Sequence, residues 1–357
     1  MRIMGRKWHS RPGFARVRST GNDERMKAIL LSRTGDPSVL EYTEVPTPRP
    51  KPGEVLVKAD TIGVSRPELL VRRGVYPWMP PLPAIPGIEM AGAVAERGPD
   101  AIRFAIGQKV YVTARELPVR AGCYAEFIAV PERALFALPA ETDLEAAACR
   151  SNYQVAWHLL HTATRGVPGQ SVLVGSASGG LGSAAVQLAK LAGMTAIGLV
   201  GSEAKARALK AFGADHVIDH SREDVAASVK EITNGVGVDL ILDAAGGPDF
   251  AKFLPMLGPF GLLVSYGKLV GKIESNVIDA LDAGPGYLNS AAVRIFTMHT
   301  LDDKPAIRAE SMTKLIMKFA EGAIRPLIHA RLPLKDARRA HEMIEARQVI
   351  GKVLLKP

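Results

Sequence analysis

A glycine-rich turn inside an uncharged stretch constrains the fold of this chain more than any other feature. Residues 171–189 carry no charge and consist of an apolar run, a turn and a second apolar run. The turn comprises Ala177, Ser178, Gly179, Gly180, Leu181 and Gly182. Such a turn lets a pyrophosphate approach the backbone and the N–H groups at a helix start. A turn at the centre also favours a strand, a turn and a helix over a membrane span.

From about Gln170 onwards, strand-like runs alternate with helical patterns. The predicted strands are Val172–Gly175, Thr195–Val200, His216–Ile218, Leu240–Asp243 and Leu262–Ser265. The predicted helices between them are Gly180–Ala192, Glu203–Phe212, Asp224–Thr233 and Asp249–Leu257. This alternation predicts a doubly wound parallel sheet of the Rossmann type, with the glycine-rich turn as its first strand-to-helix connection.

The first third of the chain has a different pattern, with short apolar runs separated by proline and glycine. The predicted strands are Met26–Leu31, Gly53–Ile62, Gly92–Glu96, Gln108–Val112 and Tyr124–Val130. Many short strands with turn signals predict a barrel-like β domain. Towards the end we expect helices over Ala306–Ala320 and Leu334–Ala346, and a last strand over Gly351–Leu355. A length of 357 residues suits two domains.

The positive charge is concentrated at the start of the chain. The net charge is +9, and the first 25 residues alone hold seven Lys or Arg and two acidic residues. We interpret residues 1–25 as a basic, disordered extension. The rest is only mildly basic, which argues against a nucleic-acid partner. Two cysteines, Cys123 and Cys149, and the lack of a signal-peptide pattern favour the cytoplasm.

The residues after the second predicted strand indicate NADPH rather than NADH. An NAD site usually has an acidic residue at the end of that strand, but Val200 is followed by Gly201 and Ser202. We expect the 2′-phosphate to be bound by Ser202 and Lys205, with help from His220 or Arg222. Glu203 opposes this interpretation, although an acid in the first helical turn also stabilises the helix dipole.

Residues 26–357 resemble the ζ-crystallin-like quinone oxidoreductases, which are zinc-independent medium-chain dehydrogenases/reductases. The matching segments are Met26–Ile29, Pro52–Val57, Arg73–Pro77, Pro86–Glu89, the turn at 177–182, Gly213–Ile218, Val264–Gly267 and Gly351–Val353. The resemblance implies an α/β fold with two domains. One is a β-rich, barrel-like (GroES-like) catalytic domain of residues 26–151 and 294–357, and the other is an NADP-binding Rossmann domain of residues 152–293. It also implies a homodimer, formed by edge pairing of the apolar segment Val293–Thr300.

The resemblance implies that no zinc is bound. Zinc-dependent cousins have a Cys and a His where this chain has Ser65 and Ile88. Cys149 lies near the position of a further ligand, but one thiolate cannot hold tetrahedral zinc. His158 and His161 share a predicted helix face without an evident third ligand, so we expect both to be packing residues. Without a Lewis acid, the hydride acceptor should be a small-molecule quinone, enone or enoyl-thioester.

The resemblance also implies the residues of the catalytic cleft. Tyr76 lies in the loop that lines the nicotinamide cleft in this family, where a phenol can donate a proton. A packing role beside the proline-rich loop is the alternative. Ser65 replaces an asparagine usual in quinone reductases, and its hydroxyl can still bind a substrate oxygen. Further cofactor contacts are expected from Gln154, Ala244, Tyr266, Gly267 and Lys352.

The predicted function is therefore NADPH-dependent transfer of hydride to a quinone or another conjugated carbonyl acceptor. Two alternatives remain open. The first is a 2-enoyl-CoA or 2-enoyl-ACP reductase, since Gly74–Tyr76 and Val264–Gly267 also occur in that form. The second is a crystallin-like or RNA-binding protein with residual cofactor binding, which the basic extension and the vacant zinc positions would suit.

Overall fold

The computed structural model describes residues 24–274 and 276–357. The predicted extension at 1–25 therefore lies outside the described residues, except for its last two. Arg25 corrects that prediction, because it begins the first strand and its Nε lies 3.6 Å from a carboxylate oxygen of Glu44 on the neighbouring strand.

The strands of the described residues form three sheets: an antiparallel pair, a six-stranded sheet and a seven-stranded sheet. In chain order they are β1 (Arg25–Leu31), β2 (Leu40–Pro46), β3 (Glu54–Val64), β4 (Glu89–Arg97), β5 (Lys109–Thr113), β6 (Phe127–Pro131), β7 (Leu135–Ala137), β8 (Ser171–Val174), β9 (Thr195–Val200), β10 (His216–Asp219), β11 (Val238–Asp243), β12 (Leu257–Ser265), β13 (Ala292–Ile295), β14 (Ile328–Pro333) and β15 (Lys352–Lys356).

Helices cover the six-stranded sheet and connect the two larger sheets. In chain order they are α1 (Arg66–Arg72), α2 (Leu144–Ala147), α3 (Arg150–Trp157), α4 (Gly180–Leu191), α5 (Glu203–Ala211), α6 (Val225–Ile232), α7 (Val277–Asp282), α8 (Gly284–Leu288), α9 (Pro305–Ala320) and α10 (Ala337–Glu345). A π-helical turn, His158–Ala163, continues α3. Among the residues described, no helix is long and apolar enough to cross a membrane.

The six-stranded sheet is the predicted doubly wound sheet. Its order is β10-β9-β8-β11-β12-β13, and every pair is parallel. Side chains alternate between two cores, because Val172 and Val174 pack into one and Leu173 packs into the other. The strand order reverses between β8 and β11, so their carboxyl ends open a crevice in which a dinucleotide can bind.

The seven-stranded sheet unites the beginning and the end of the chain. Its order is β14-β15-β3-β4-β5-β7, with β6 paired to β3. β15 runs antiparallel to β3, with Val353 opposite Val64. In contrast, β13 belongs to the six-stranded sheet, and α9 packs Met312 and Phe319 into its core. The domain boundaries at 151 and 294 remain a prediction.

Two segments differ from their predicted conformations. The helix expected over Asp249–Leu257 is a 3-10 helix, Phe250–Met256, which contains Pro255. Proline lacks the N–H that a continuous α-helix requires. The strand expected over Val293–Thr300 ends at Ile295, and a 3-10 turn follows at Met298–Leu301. That turn buries Met298 and Leu301.

Candidate active site

The glycine-rich turn forms the start of α4, as predicted. The backbone of Ser176 has a φ of +53°, and α4 begins at Gly180 with Gly179 as an N-cap that offers no side chain. A Cβ on Gly182 would lie 2.4 Å from the carbonyl oxygen of Ser176, so only glycine fits. The first N–H groups of α4 therefore face outward without a side-chain cap, which fits the pyrophosphate of NADPH.

The C-terminal strand is attached directly to this turn. The backbone N–H of Gly351 donates to the carbonyl oxygen of Ser178 at 2.7 Å. This hydrogen bond joins the glycine-rich turn to the start of β15, and Lys352 is the next residue after the contact.

The carboxyl ends of β9 and β10 carry the residues predicted for the 2′-phosphate. Ser202 caps α5 by accepting the backbone N–H of Lys205 at 3.4 Å. The Lys205 ammonium donates to the carbonyl oxygen of Arg347 at 2.8 Å. A Cβ on Gly201 would lie 2.9 Å from Nε2 of His220. Ser202, Lys205 and His220 are therefore neighbours, and Arg347 is an addition that the sequence pattern did not reveal.

Glu203 is neutralised by two arginines. Its carboxylate oxygens lie 2.7 Å from Nη1 of Arg207 and 3.0 Å from Nη1 of Arg222. All three side chains are exposed. The acid that argued against NADPH is thus paired at the edge of the site, and Arg222 is engaged with it.

The ends of β11 and β12 meet at the other end of the crevice. The N–H of Tyr266 donates to the carbonyl oxygen of Asp243 at 2.9 Å. A Cβ on Gly267 would lie 2.4 Å from the carbonyl oxygen of Ala244, which explains the glycine. Ala244, Tyr266 and Gly267, all predicted to contact the cofactor, therefore lie together.

Gln154 lies under the same cleft and is 5% exposed. Its Nε2 donates to the carbonyl oxygen of Arg308 at 3.0 Å and to Oγ of Ser311 at 3.2 Å. The amide nitrogen thus donates both of its hydrogen bonds to α9, whereas Oε1 accepts no hydrogen bond from the described residues.

The floor of the cleft is a buried set of polar residues, which we name the lysine cluster: Ser65, Glu89, Tyr111, Ser151 and Lys352. The Lys352 ammonium contacts Ser65 Oγ and lies 2.6 Å from Oε1 of Glu89. Glu89 also accepts hydrogen bonds from the Tyr111 hydroxyl at 3.0 Å and from the Ser151 hydroxyl at 2.5 Å. Lys352 was predicted to meet cofactor phosphates, but its ammonium is directed into this cluster.

Burial and charge set the protonation states here. Burial alone would lower the pKa of Lys352, but the Glu89 carboxylate outweighs it and raises that pKa. Neighbouring Glu68 is 1% exposed, and burial raises its pKa to about 8. Its Oε1 accepts a hydrogen bond from the N–H of Ile88 at 3.3 Å, while Oε2 has no partner among residues 24–274 and 276–357. Glu68 is therefore mostly protonated at neutral pH.

The lysine cluster does not fit a zinc ion. Ser65 and Ile88 supply neither the thiolate nor the imidazole of a zinc site, and burial raises the pKa of Cys149 to about 12. The Lys352 ammonium brings its own positive charge against Ser65. Within residues 24–274 and 276–357, no group of three or more His, Cys, Asp or Glu is arranged to hold a metal ion.

The predicted pair His158 and His161 belongs to the core rather than to a metal site. His158 is buried and bonded through Nδ1 to Thr162 Oγ1 at 2.9 Å and through Nε2 to Ser311 Oγ at 3.0 Å. Burial lowers its pKa to about 4. The His161 ring packs 4.2 Å from that of Trp157. Both histidines have packing partners, in agreement with the expectation.

One side of the cleft is formed by a second set of residues, which we name the arginine wall: Tyr76, Trp78, Arg115, Arg120, His299 and Asp302. The Tyr76 ring lies 5.8 Å from Trp78 and 6.4 Å from His299. Burial raises the pKa of Tyr76, and the guanidinium groups of Arg115 and Arg120 offset part of that increase. Tyr76 is therefore a neutral phenol at physiological pH. Of these residues, the sequence pattern indicated only Tyr76.

A nucleotide-binding parallel sheet and a mixed β domain that jointly form one cleft define the class of medium-chain dehydrogenases/reductases. Two family models agree: "Alcohol dehydrogenase GroES-like domain" matches residues 51–140, and "Zinc-binding dehydrogenase" matches residues 212–355. The latter description implies a metal that the lysine cluster does not fit.

Similar proteins narrow the class. A quinone oxidoreductase of Pseudomonas aeruginosa is 33% identical, over 93% of this chain and 99% of that protein. A 2-haloacrylate reductase of a Burkholderia species is 30% identical, over 92% and 98%. The structure of an Escherichia coli quinone oxidoreductase complexed with NADPH matches with a TM-score of 0.81 and 29% identity, over 93% and 100%. The chain belongs to the quinone oxidoreductase family of medium-chain dehydrogenases/reductases, which confirms the predicted family, fold class and oxidoreductase activity.

Proposed function

We propose that this NADPH-dependent oxidoreductase reduces a quinone or another conjugated carbonyl compound without zinc. NADPH is the cofactor in the E. coli relative, and the glycine-rich turn fits it. The Burkholderia relative, named for haloacrylate reduction, supports an activated double bond as the acceptor. The observation that carries the proposal is the Lys352 ammonium, held against Ser65 where zinc-dependent members need a metal ligand.

Ser65 is the group that can stabilise charge on the acceptor. Bound NADPH supplies the hydride, and hydride addition to a conjugated carbon moves negative charge onto the carbonyl oxygen. Because Ser65 Oγ accepts a hydrogen bond from the Lys352 ammonium, its own O–H can donate to another acceptor. Its bond to Glu89 Oε1 is long, at 3.4 Å, so a substrate oxygen can compete for that proton.

Tyr76 is the proposed source of a proton for carbon. An alkene acceptor needs a proton as well as a hydride, and a neutral phenol at the cleft can provide it. The same phenol favours an enoyl-thioester as the second candidate acceptor. Reduction of a quinone depends less on this proton donor, because water can protonate the quinone oxygens.

The proposal is tested by recording NADPH consumption with quinones, enones and enoyl-thioesters, together with elemental analysis of the purified protein. We expect turnover with at least one class, no stoichiometric zinc, and unchanged activity after chelation. About one zinc per chain, with activity lost on chelation, would contradict the metal-free mechanism.

We also propose a homodimer formed at the edge of the six-stranded sheet. β13 is one of the two edge strands of that sheet, and Ile295 on it is 67% exposed. Tyr287 and Leu288 in the adjoining α8 are 69% and 80% exposed. An apolar, unpaired edge favours pairing with a second copy. Light scattering should give twice the chain mass, and a monomer at micromolar concentration would exclude the dimer.

A cytoplasmic location is proposed on the chemistry of the cysteines. Cys123 and Cys149 are free and buried, and burial raises the pKa of both thiols. Thiols kept in this state suit a reducing compartment. Fractionation of cells that make the protein should recover it with cytoplasmic markers.

A further inference from the structure

The arginine wall contains more cationic than anionic side chains. Asp302 is shared by both arginines, with Oδ1 lying 2.7 Å from Nη1 of Arg115 and Oδ2 lying 2.8 Å from Nη2 of Arg120. His299 adds no charge at neutral pH, because burial lowers its pKa. One carboxylate therefore faces two guanidinium groups.

The neighbouring ion pair does not supply the missing negative charge. Arg308 forms a two-pronged contact with Glu116, at 2.8 Å and 2.7 Å, so that each partner neutralises the other. Glu68, whose negative charge would raise the pKa of Tyr76, is buried and mostly protonated at neutral pH. The wall consequently keeps one positive charge that its own residues do not balance.

Arg115 is the arginine with capacity to bind a ligand. Arg120 is held by Asp302, by Nδ1 of His299 at 2.8 Å and by the Trp78 ring at 5.2 Å. In Arg115, Nη1 is bonded to Asp302, while Nε and Nη2 have no acceptor among the described residues. Neither atom belongs to the buried polar atoms that lack a hydrogen-bond partner. They are a planar pair of donors, a geometry that matches a carboxylate.

We propose that the physiological acceptor carries a carboxylate, which Arg115 binds through Nε and Nη2 while the conjugated carbons lie beside Tyr76. This inference rests on the proposed function. It narrows the substrate class from conjugated carbonyl compounds in general to anionic ones. The charge acts through Arg115 at every physiological pH, because guanidinium does not deprotonate in this range.

The experiment compares two acceptors that differ in charge only at the carboxyl group, 4-oxopent-2-enoate and its methyl ester, with 1,4-benzoquinone as a neutral reference. In the wild type we expect kcat/KM for the acid to exceed that for the ester at least about tenfold. Arg115→Met should lower kcat/KM for the acid about ten- to a hundredfold and should lower it much less for the ester and the quinone. Arg115→Lys should restore part of the loss.

Arg331→Met is the matched control, because Arg331 is an exposed arginine paired with Glu145 away from the cleft. It should leave all three acceptors unchanged. Equal use of acid and ester by the wild type, or an equal loss on both in Arg115→Met, would overturn the inference. So would a change confined to the KM for NADPH. In those cases quinone reduction persists and the proposed function stands, whereas failure with all acceptors would refute the proposed function itself.

Discussion

The lysine cluster at the floor of the cleft and the arginine wall at its side use similar residue types in opposite ways. In the lysine cluster, the single carboxylate of Glu89 accepts hydrogen bonds from an ammonium, a phenol and a hydroxyl. In the arginine wall, the single carboxylate of Asp302 contacts two guanidinium groups, and Nε and Nη2 of Arg115 have no acceptor in the part of the chain that the structure describes. Lys352 is 3% exposed, whereas the Arg115 side chain is 19% exposed.

This difference distinguishes residues that hold their neighbours in position from residues that can bind a ligand. A buried charge is tolerated only when it is fully paired, since a lone one costs several kcal/mol. An incompletely paired charge persists where solvent or a ligand can reach it. The lysine cluster should therefore tolerate no loss of a partner, while changes in the wall should affect ligands more than folding.

Lys352→Met should break the lysine cluster and have the largest effect. It leaves the buried Glu89 without its cation, and removing one partner of a buried ion pair costs about 3–5 kcal/mol. We expect chemical denaturation to show a loss of that size in the free energy of unfolding. Lys268→Met is the control, because Lys268 is exposed. Adding Glu89→Gln to Lys352→Met should recover part of the stability, and a single-variant loss below about 1 kcal/mol would contradict the pairing.

Tyr76→Phe tests the arginine wall. Because a positioned proton donor contributes about 10²- to 10⁴-fold, turnover of enones or enoyl-thioesters should fall in that range, with a much smaller fall for quinones. The free energy of unfolding should change little. Tyr42→Phe, at an exposed position on β2, is the matched control. If no acceptor distinguishes Tyr76→Phe from the wild type, Tyr76 is a packing residue.

The two regions also differ in how far the sequence predicts them. The strand Thr195–Val200 is confirmed residue for residue, and the glycine-rich turn starts its helix where expected, since both depend on local patterns. The strand β14 was missed although its apolar residues Ile328, Ala330 and Leu332 alternate with more exposed ones, because the run is short and ends at Pro333. Local signals therefore suffice for the nucleotide-binding sheet and fail for edge strands.

The side-chain contacts of the cleft depend on distant pairs. Lys352 and Glu89 are 263 positions apart, and Arg120 and His299 are 179 apart. No periodicity within one segment indicates such contacts. Ser65 and Tyr76 were singled out by the family resemblance, whereas their charged partners became visible only when both sheets were in place.

Glu68→Gln sharpens the comparison through pH. The Glu68 carboxyl has a pKa of about 8 when folded, against 4.5 for the ordinary group. Between these values the folded state keeps a proton that the unfolded state has lost, so this carboxyl makes stability fall as pH rises. The glutamine variant lacks that fall, and its stability advantage should grow by roughly 2 kcal/mol between about pH 6 and pH 8. Exposed Glu41→Gln should show no such growth, and a flat difference for Glu68→Gln would mean that Glu68 is ionised throughout.

Lys205→Ala extends the comparison to a half-buried charge and should have the smallest effect. Its ammonium lies at the ends of β9 and β10, where its one acceptor among the described residues is the carbonyl oxygen of Arg347. A charged hydrogen bond to phosphate contributes about ten- to a hundredfold, and solvent screening favours the lower end. Calorimetric titration should show NADPH bound about tenfold tighter than NADH by the wild type, with most of the difference lost in Lys205→Ala. Lys210→Ala, on the same helix, should retain it. A full preference in Lys205→Ala would assign the 2′-phosphate to His220 and Arg222. Equal wild-type affinities would mean that this site does not recognise the 2′-phosphate.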